Sequence, residues 1–143
     1  MPLLQVTATE NTLSNAAQDT LMQQLSNAVL KAERAPIESA GAQSLVWAYY
    51  DERPQDAIYV GGKPTNKAPL RIAVTTPEGA LTETARESLV AEIGNIVDAH
   101  IGTYEGRLNH WAMLYELDEG SWAGGGQIFP LAGIQAAMDI PTA

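Results

Sequence analysis

The chain has 143 residues, 45% of them hydrophobic, which fits one globular domain and excludes disordered or coiled-coil composition. A formal charge of −9 with no Lys/Arg cluster argues against a nucleic-acid or anionic-lipid surface, and the lack of Cys excludes disulfides, thiolate zinc sites and cysteine nucleophiles. No apolar run approaches the ~20 residues of a membrane span, and Met1-Pro2-Leu3-Leu4-Gln5 lacks a leader's basic and apolar regions, so a soluble cytoplasmic domain is expected.

The first element is a buried strand over Leu3 to Ala8, read from its apolar and β-branched run. A polar turn at Glu10-Asn11 follows, and Ser14 is a good N-cap because its hydroxyl can accept from a free first-turn N–H. Leu13, Ala17, Leu21, Leu25 and Val29 then recur at helical spacing and define one apolar face. A second strand is expected over Leu45 to Asp51, ending in a turn at Gly61-Gly62.

From Pro69 the chain repeats itself. Pro2 to Thr9 aligns with Pro69 to Thr76 at an offset of 67, and Leu13, Leu21 and Val29 meet Leu81, Leu89 and Val97 at 68. Trp47-Ala48 and Gly61-Gly62 match Trp111-Ala112 and Gly125-Gly126 at 64. The second copy therefore predicts a strand over Leu70 to Thr75, an N-cap at Thr82, a helix through Val97 and a strand over His110 to Glu116. The expected architecture is α+β: two tandem β-α-β units form a four-stranded sheet, with parallel strands inside each unit and two helices on one face. The other sheet face lacks cover within one protomer, which implies an oligomer. One domain over 1–143 is expected, with pseudo-repeats 2–66 and 69–130; the apolar tail 131–143 is expected to pack and is placed to reach a neighbour.

Pro2 directly after the initiator Met, opening a repeated β-α-β unit that ends in Val60-Gly61-Gly62, resembles the tautomerase superfamily. Two fused units are most similar to its cis-3-chloroacrylic acid dehalogenase-like branch. The resemblance spans residues 2–130 and rests mainly on Pro2, the stretch Trp47 through Gly62 and the stretch Trp111 through Pro130. It implies a homotrimer with sites between protomers, and a catalytic Pro2 once Met1 is removed. The chemistry supports that role: a terminal amine has a reference pKa near ~7.7–8.0, which burial lowers. A secondary amine held near neutral can take a proton from one carbon and return it to another.

The resemblance's other functional residues do not carry over. The dehalogenase branch's two arginines fall on Pro77 and Ala80, its helical His on Val29, its strand Tyr on Met113 and its water-activating Glu on Gly124. The early-loop and strand arginines of single-unit 4-oxalocrotonate tautomerases fall on Thr12 and Trp47. The substrate-binding candidates are Trp47 and Tyr49, Trp111 and Met113 (each pair on one strand face), the wall residue Trp122, and Arg71 as a carboxylate anchor. Packing at a trimer interface explains the tryptophans equally well, and Arg71 also reads as a solvated surface residue. Arg53, Lys63 and Lys67 are the other cations to weigh. With two His, no Cys and no carboxylate at ligand spacing, neither a metal nor another cofactor is expected. The expected activity is keto–enol tautomerisation of a small 2-oxo acid or its enol. Two alternatives stand beside it: hydration, dehalogenation or decarboxylation of a small unsaturated or β-oxo acid, and a non-catalytic trimeric binding protein with a decayed site.

Overall fold

The structure, a computed structural model, describes residues 1–142. Strand β1 (Leu3–Thr9) alternates as a half-covered strand should: Leu4, Val6 and Ala8 are buried, while Leu3, Gln5 and Thr7 face the other way. Helix α1 (Asn15–Ala32) starts at Ser14, whose hydroxyl accepts from the Ala17 N–H at 3.1 Å. After a short helix α2 (Ala40–Leu45), strand β2 (Trp47–Arg53) returns parallel to β1. A hairpin of β3 (Tyr59–Val60) and β4 (Lys63–Pro64) closes the first half.

The second half runs the same course. Strand β5 (Leu70–Pro77), helix α3 (Glu83–Ile101) and strand β6 (His110–Leu117) are followed by a hairpin of β7 (Ala123–Gly124) and β8 (Gln127–Ile128). Thr82 caps α3 by accepting from the Ala85 N–H at 3.0 Å. Both hairpins turn on Gly-Gly with φ positive at each glycine, which fits the right-handed twist of the flanking strands.

The sheet order is β2-β1-β5-β6, with β1 and β5 antiparallel at the centre and β2 and β6 at the edges. Helices α1 and α3 both lie on one face. Their buried residues, Leu21, Leu25, Val29, Leu89, Ile93 and Val97, pack on Leu4, Val6, Ile72 and Val74. Each such fully buried aliphatic side chain is worth about 1.5–3 kcal/mol relative to exposure.

The opposite face is open. Pairing aligns its side chains in three rows: Trp47, Leu3, Thr75 and Tyr115; then Tyr49, Gln5, Ala73 and Met113; then Asp51, Thr7, Arg71 and Trp111. Trp47 is 61% exposed and Trp111 is 66% exposed. These are large apolar groups to leave in water, and they lie on one surface.

One region differs from the sequence reading: Leu45, expected to open the second strand, ends a helix, and β2 runs from Trp47 to Arg53. Helix α2 was not anticipated; Ser39 caps it through the Ala42 N–H at 3.1 Å. The tail packs, as expected, and it does so on its own chain. Helix α4 (Leu131–Ala137) and the residues after it fold onto the same chain, where Ile134, Met138 and Ile140 join Leu30, Ala35 and Ala42 in a second buried cluster. Gly41 lets α2 approach α4 closely, since a Cβ there would lie 2.2 Å from the Ala137 carbonyl oxygen.

Candidate active site

The second cluster surrounds the amino terminus. Pro2 is buried just before β1, and its carbonyl accepts the Trp47 N–H at 3.2 Å, extending the β1–β2 pairing by one bond. Met1 packs against the cluster with Trp122 and Phe129. Its amine donates to the Met138 sulfur at 2.9 Å and lies 3.7 Å from Oε2 of Glu33. Pro77, Ala80, Leu131, Ile134 and Ile140 form the apolar wall.

Glu33 is the unexpected member. It caps the C-terminus of α1, where Arg34 takes a left-handed φ of 64° and the Ala35 N–H reaches back to the Leu30 carbonyl at 2.9 Å. This turn directs the Glu33 side chain inward, to 1% exposure. At 3.7 Å the terminal amine is an ion-pair partner and not a hydrogen-bond donor, so neither carboxyl oxygen has a hydrogen bond. Burial pushes the Glu33 carboxyl above its usual range, against the opposing pull of the amine. The same burial holds the amine below 8.0, with Glu33 pulling the other way. The shared pocket thus drives both groups toward their uncharged forms.

The repeat supplies an internal comparison. At offset 68 Glu33 corresponds to Ile101, and the left-handed Arg34 corresponds to Gly102, whose φ is 73°. The matching helix end therefore carries an ordinary aliphatic residue. Near Pro69, which has no free amine, an open cleft of about 340 Å³ takes the place of the filled pocket. Thr9, Thr12, Lys67, His100 and Tyr104 line it, and the Tyr104 hydroxyl donates to the Ala68 carbonyl at 3.0 Å.

The candidates from the sequence divide between the two ends of the sheet. Trp47 lies beside the amino terminus on the open face, and its indole N–H donates to the Ser44 carbonyl at 3.0 Å. Trp122 reaches the terminus from the other side through the second cluster. Tyr49 and Met113 occupy the middle row. Arg71 and Trp111 sit in the far row with Thr7, five residues along β1 from Pro2 and so roughly 17 Å away within one protomer. Sequence reasoning missed Glu33 and Tyr115, the latter sharing the row of Trp47. The Glu33–Ile101 mismatch was the available signal for the former.

No protein-family model matches the chain, and no curated protein matches it in sequence. Solved structures do resemble it. A fused 4-OT that forms an asymmetric trimer superposes with a TM-score of 0.73 at 23% identity, covering 88% of this chain and 94% of that one. Pt0534, solved after inactivation by 2-oxo-3-pentynoate, gives 0.72 at 23% identity over 88% and 94%. N1, a member of the cis-3-chloroacrylic acid dehalogenase family, gives 0.75 at 13% identity over 94% and 87%. These neighbours are members of the tautomerase superfamily, and the chain has the fold of that superfamily in its two-unit form.

Proposed function

We propose that the chain is a cofactor-free keto–enol tautomerase-like enzyme in which Pro2, freed by removal of Met1, is the general base and acid. The single observation that carries this reading is the burial of the amino end in an apolar pocket, where burial lowers the Met1 amine from its ordinary value. Pro2 is itself buried, so removal of Met1 leaves a secondary amine one residue along, at the edge of the apolar pocket that Met1 vacates. A neutral amine there can accept the proton on carbon beside a carbonyl and return it. The proline ring aims its lone pair, since the nitrogen cannot swing as an open-chain amine does.

The substrate class we assign is a small 2-oxo acid or its enol. Aromatic side chains at the open face, Trp47, Tyr49 and Tyr115 among them, suit a partly apolar compound. We further propose a homotrimer with the open face as its interface; the fused 4-OT that this chain resembles is itself a trimer. In such an assembly Arg71, Trp111 and Met113 would serve a site on another protomer, which their distance from Pro2 in their own chain favours.

One observation favours a second reading, that of a binding protein without turnover: while Met1 is present it fills the pocket and acylates the Pro2 nitrogen. Intact mass of the native protein, followed by a phenylenolpyruvate ketonisation assay on the same sample, separates the two. Loss of Met1 with turnover is the expected result. Incubation with 2-oxo-3-pentynoate, the inactivator of Pt0534, should then add one reagent to the N-terminal peptide. Retained Met1, or free Pro2 with neither turnover nor labelling, refutes the proline reading and leaves the binding protein.

A further inference from the structure

We propose that Glu33 is a second catalytic residue, the acid that protonates the substrate oxygen while Pro2 handles the proton on carbon; this rests on the proline reading above. The position of this carboxyl is costly in three ways. It is 1% exposed, it has no hydrogen bond, and it caps the C-terminal end of a helix, where the dipole opposes negative charge. The helix end does not itself require a carboxyl: at the matching position of the second half α3 ends in the aliphatic Ile101, and Gly102 makes the cap. The acid stands in one copy only, beside the chain terminus whose amine lies 3.7 Å from it.

The geometry sets the use. Adjacent backbone nitrogens are separated by roughly 3.5 Å, so the Pro2 nitrogen lies within about 7 Å of the Glu33 carboxyl, given the 3.7 Å from the Met1 amine. Removal of Met1 empties the space between them. A carbonyl group of a small substrate fits that gap, with its α-carbon toward Pro2 and its oxygen toward Glu33. The amine and Glu33 are the titratable groups lining this pocket among the described residues; its other walls are Pro77, Ala80, Leu131, Ile134, Gln135 and Ile140.

The proton count closes. The neutral Pro2 nitrogen takes the proton from the α-carbon, and the C–H electron pair becomes the C=C bond. The carbonyl π pair moves to oxygen, which takes the Glu33 proton. This leaves enol, a Pro2 ammonium and a Glu33 carboxylate. Transfer of one proton from ammonium to carboxylate restores the starting pair, and a buried apolar site disfavours the charged pair. Ketonisation runs the same steps backwards: the ion pair receives the enol, Glu33 takes the hydroxyl proton and Pro2 protonates carbon.

The test is Glu33→Gln in the Met1-free protein, assayed with phenylenolpyruvate. The amide keeps shape and hydrogen-bonding capacity but cannot transfer a proton. We expect kcat to fall by roughly 10²–10⁴-fold with KM changed less than threefold, the usual scale for loss of a general acid. The thermal midpoint should equal or exceed the wild type's, because a buried carboxyl without hydrogen bonds is removed. A purely structural Glu33 would give the opposite pair of results, lower stability and retained kcat. Wild-type turnover that survives the substitution within threefold overturns this inference alone, whereas an inactive wild type with free Pro2 overturns the proline reading first. Should the variant fail to fold, the wild type decides: infrared spectroscopy must find a protonated buried carboxyl at neutral pH that shifts on substrate binding. Absence of that band refutes the role.

Discussion

Trp111→Ala offers the sharpest test of how the open face is used. The indole stands on edge strand β6 with two-thirds of its surface in water, on the same face as Trp47, Tyr49 and Tyr115. A tryptophan buries roughly 150–250 Å² in a packed site, so assembly can remove on the order of 130 Å² more from solvent at this position. At about 25 cal/mol per Å², that is ~3 kcal/mol for each chain. A symmetric trimer contains the contact three times, so the substitution should cost about 10 kcal/mol per assembly. With ~1.4 kcal/mol per decade, the three-body dissociation constant rises by roughly seven decades.

The midpoint concentration scales as the square root of that constant, so it should shift by between about three and four decades. This is an upper bound, because alanine keeps its Cβ and the interface can relax. Sedimentation across a wide dilution series measures the shift directly, and far-UV circular dichroism checks that the protomer stays folded. Trp111 touches no part of the helical core, so the folded monomer should survive. A folded variant whose midpoint moves by less than one decade would refute the argument, as would a wild type that stays monomeric at high concentration. Either result would return the exposed tryptophans to some other partner.

Three further outcomes follow from the same geometry. Pro2→Ala should leave fold and assembly intact while lowering kcat for enol ketonisation by roughly 10²-fold or more, since a mobile primary amine replaces the aimed secondary one; steady-state kinetics on mass-verified protein measures it. Gly41→Ala should lower the thermal midpoint, because the new Cβ meets the Ala137 backbone oxygen and must part α2 from α4; overpacking of this kind costs about 1–3 kcal/mol, read by urea denaturation. In the chain that retains Met1, the raised Glu33 carboxyl makes the native state bind more protons than the unfolded one above the ordinary carboxyl range. Stability therefore falls as pH rises from that range through the raised native value, and Glu33→Gln abolishes the fall. The lowered Met1 amine has the opposite sign: its burial penalty is full below the native value and fades as pH rises toward 8.0, so stability recovers there. Urea midpoints taken at steps of pH on both proteins resolve the two limbs.

The local rules account for what was legible in the sequence. Ser14 and Thr82 announce the two long helices because a hydroxyl can satisfy a first-turn N–H, and the 3.6-residue spacing of Leu21, Leu25 and Val29 fixes which side is buried. The uncovered sheet face follows from two right-handed crossovers on one side. Glu33 escaped because nothing near it in sequence buries it. It occupies a polar-looking place at the end of a helix, and its cover comes from Ile134, Met138 and Ile140, about a hundred residues further on. Helix α2 escaped for a similar reason, since six residues carry little periodicity and its support is the remote α4.

The repeat itself concealed the remaining distinction. At offset 64 Trp47 and Trp111 are equivalent, and reasoning by repeat places both at a site. The halves meet, however, along an antiparallel seam, with Leu3 opposite Thr75 and Thr7 opposite Arg71. That seam turns the second unit end for end, so Trp47 falls beside the amino terminus while Trp111 falls beside Pro69, at the other end of the sheet. The repeat therefore offers two equivalent places with different chemistry. One end has a chain terminus, a buried acid and an apolar wall; the other has an acylated proline, Ile101 and a polar cleft. A free amine exists only where the chain begins, and the Glu33-to-Ile101 difference follows that asymmetry as a pair of cooperating groups should.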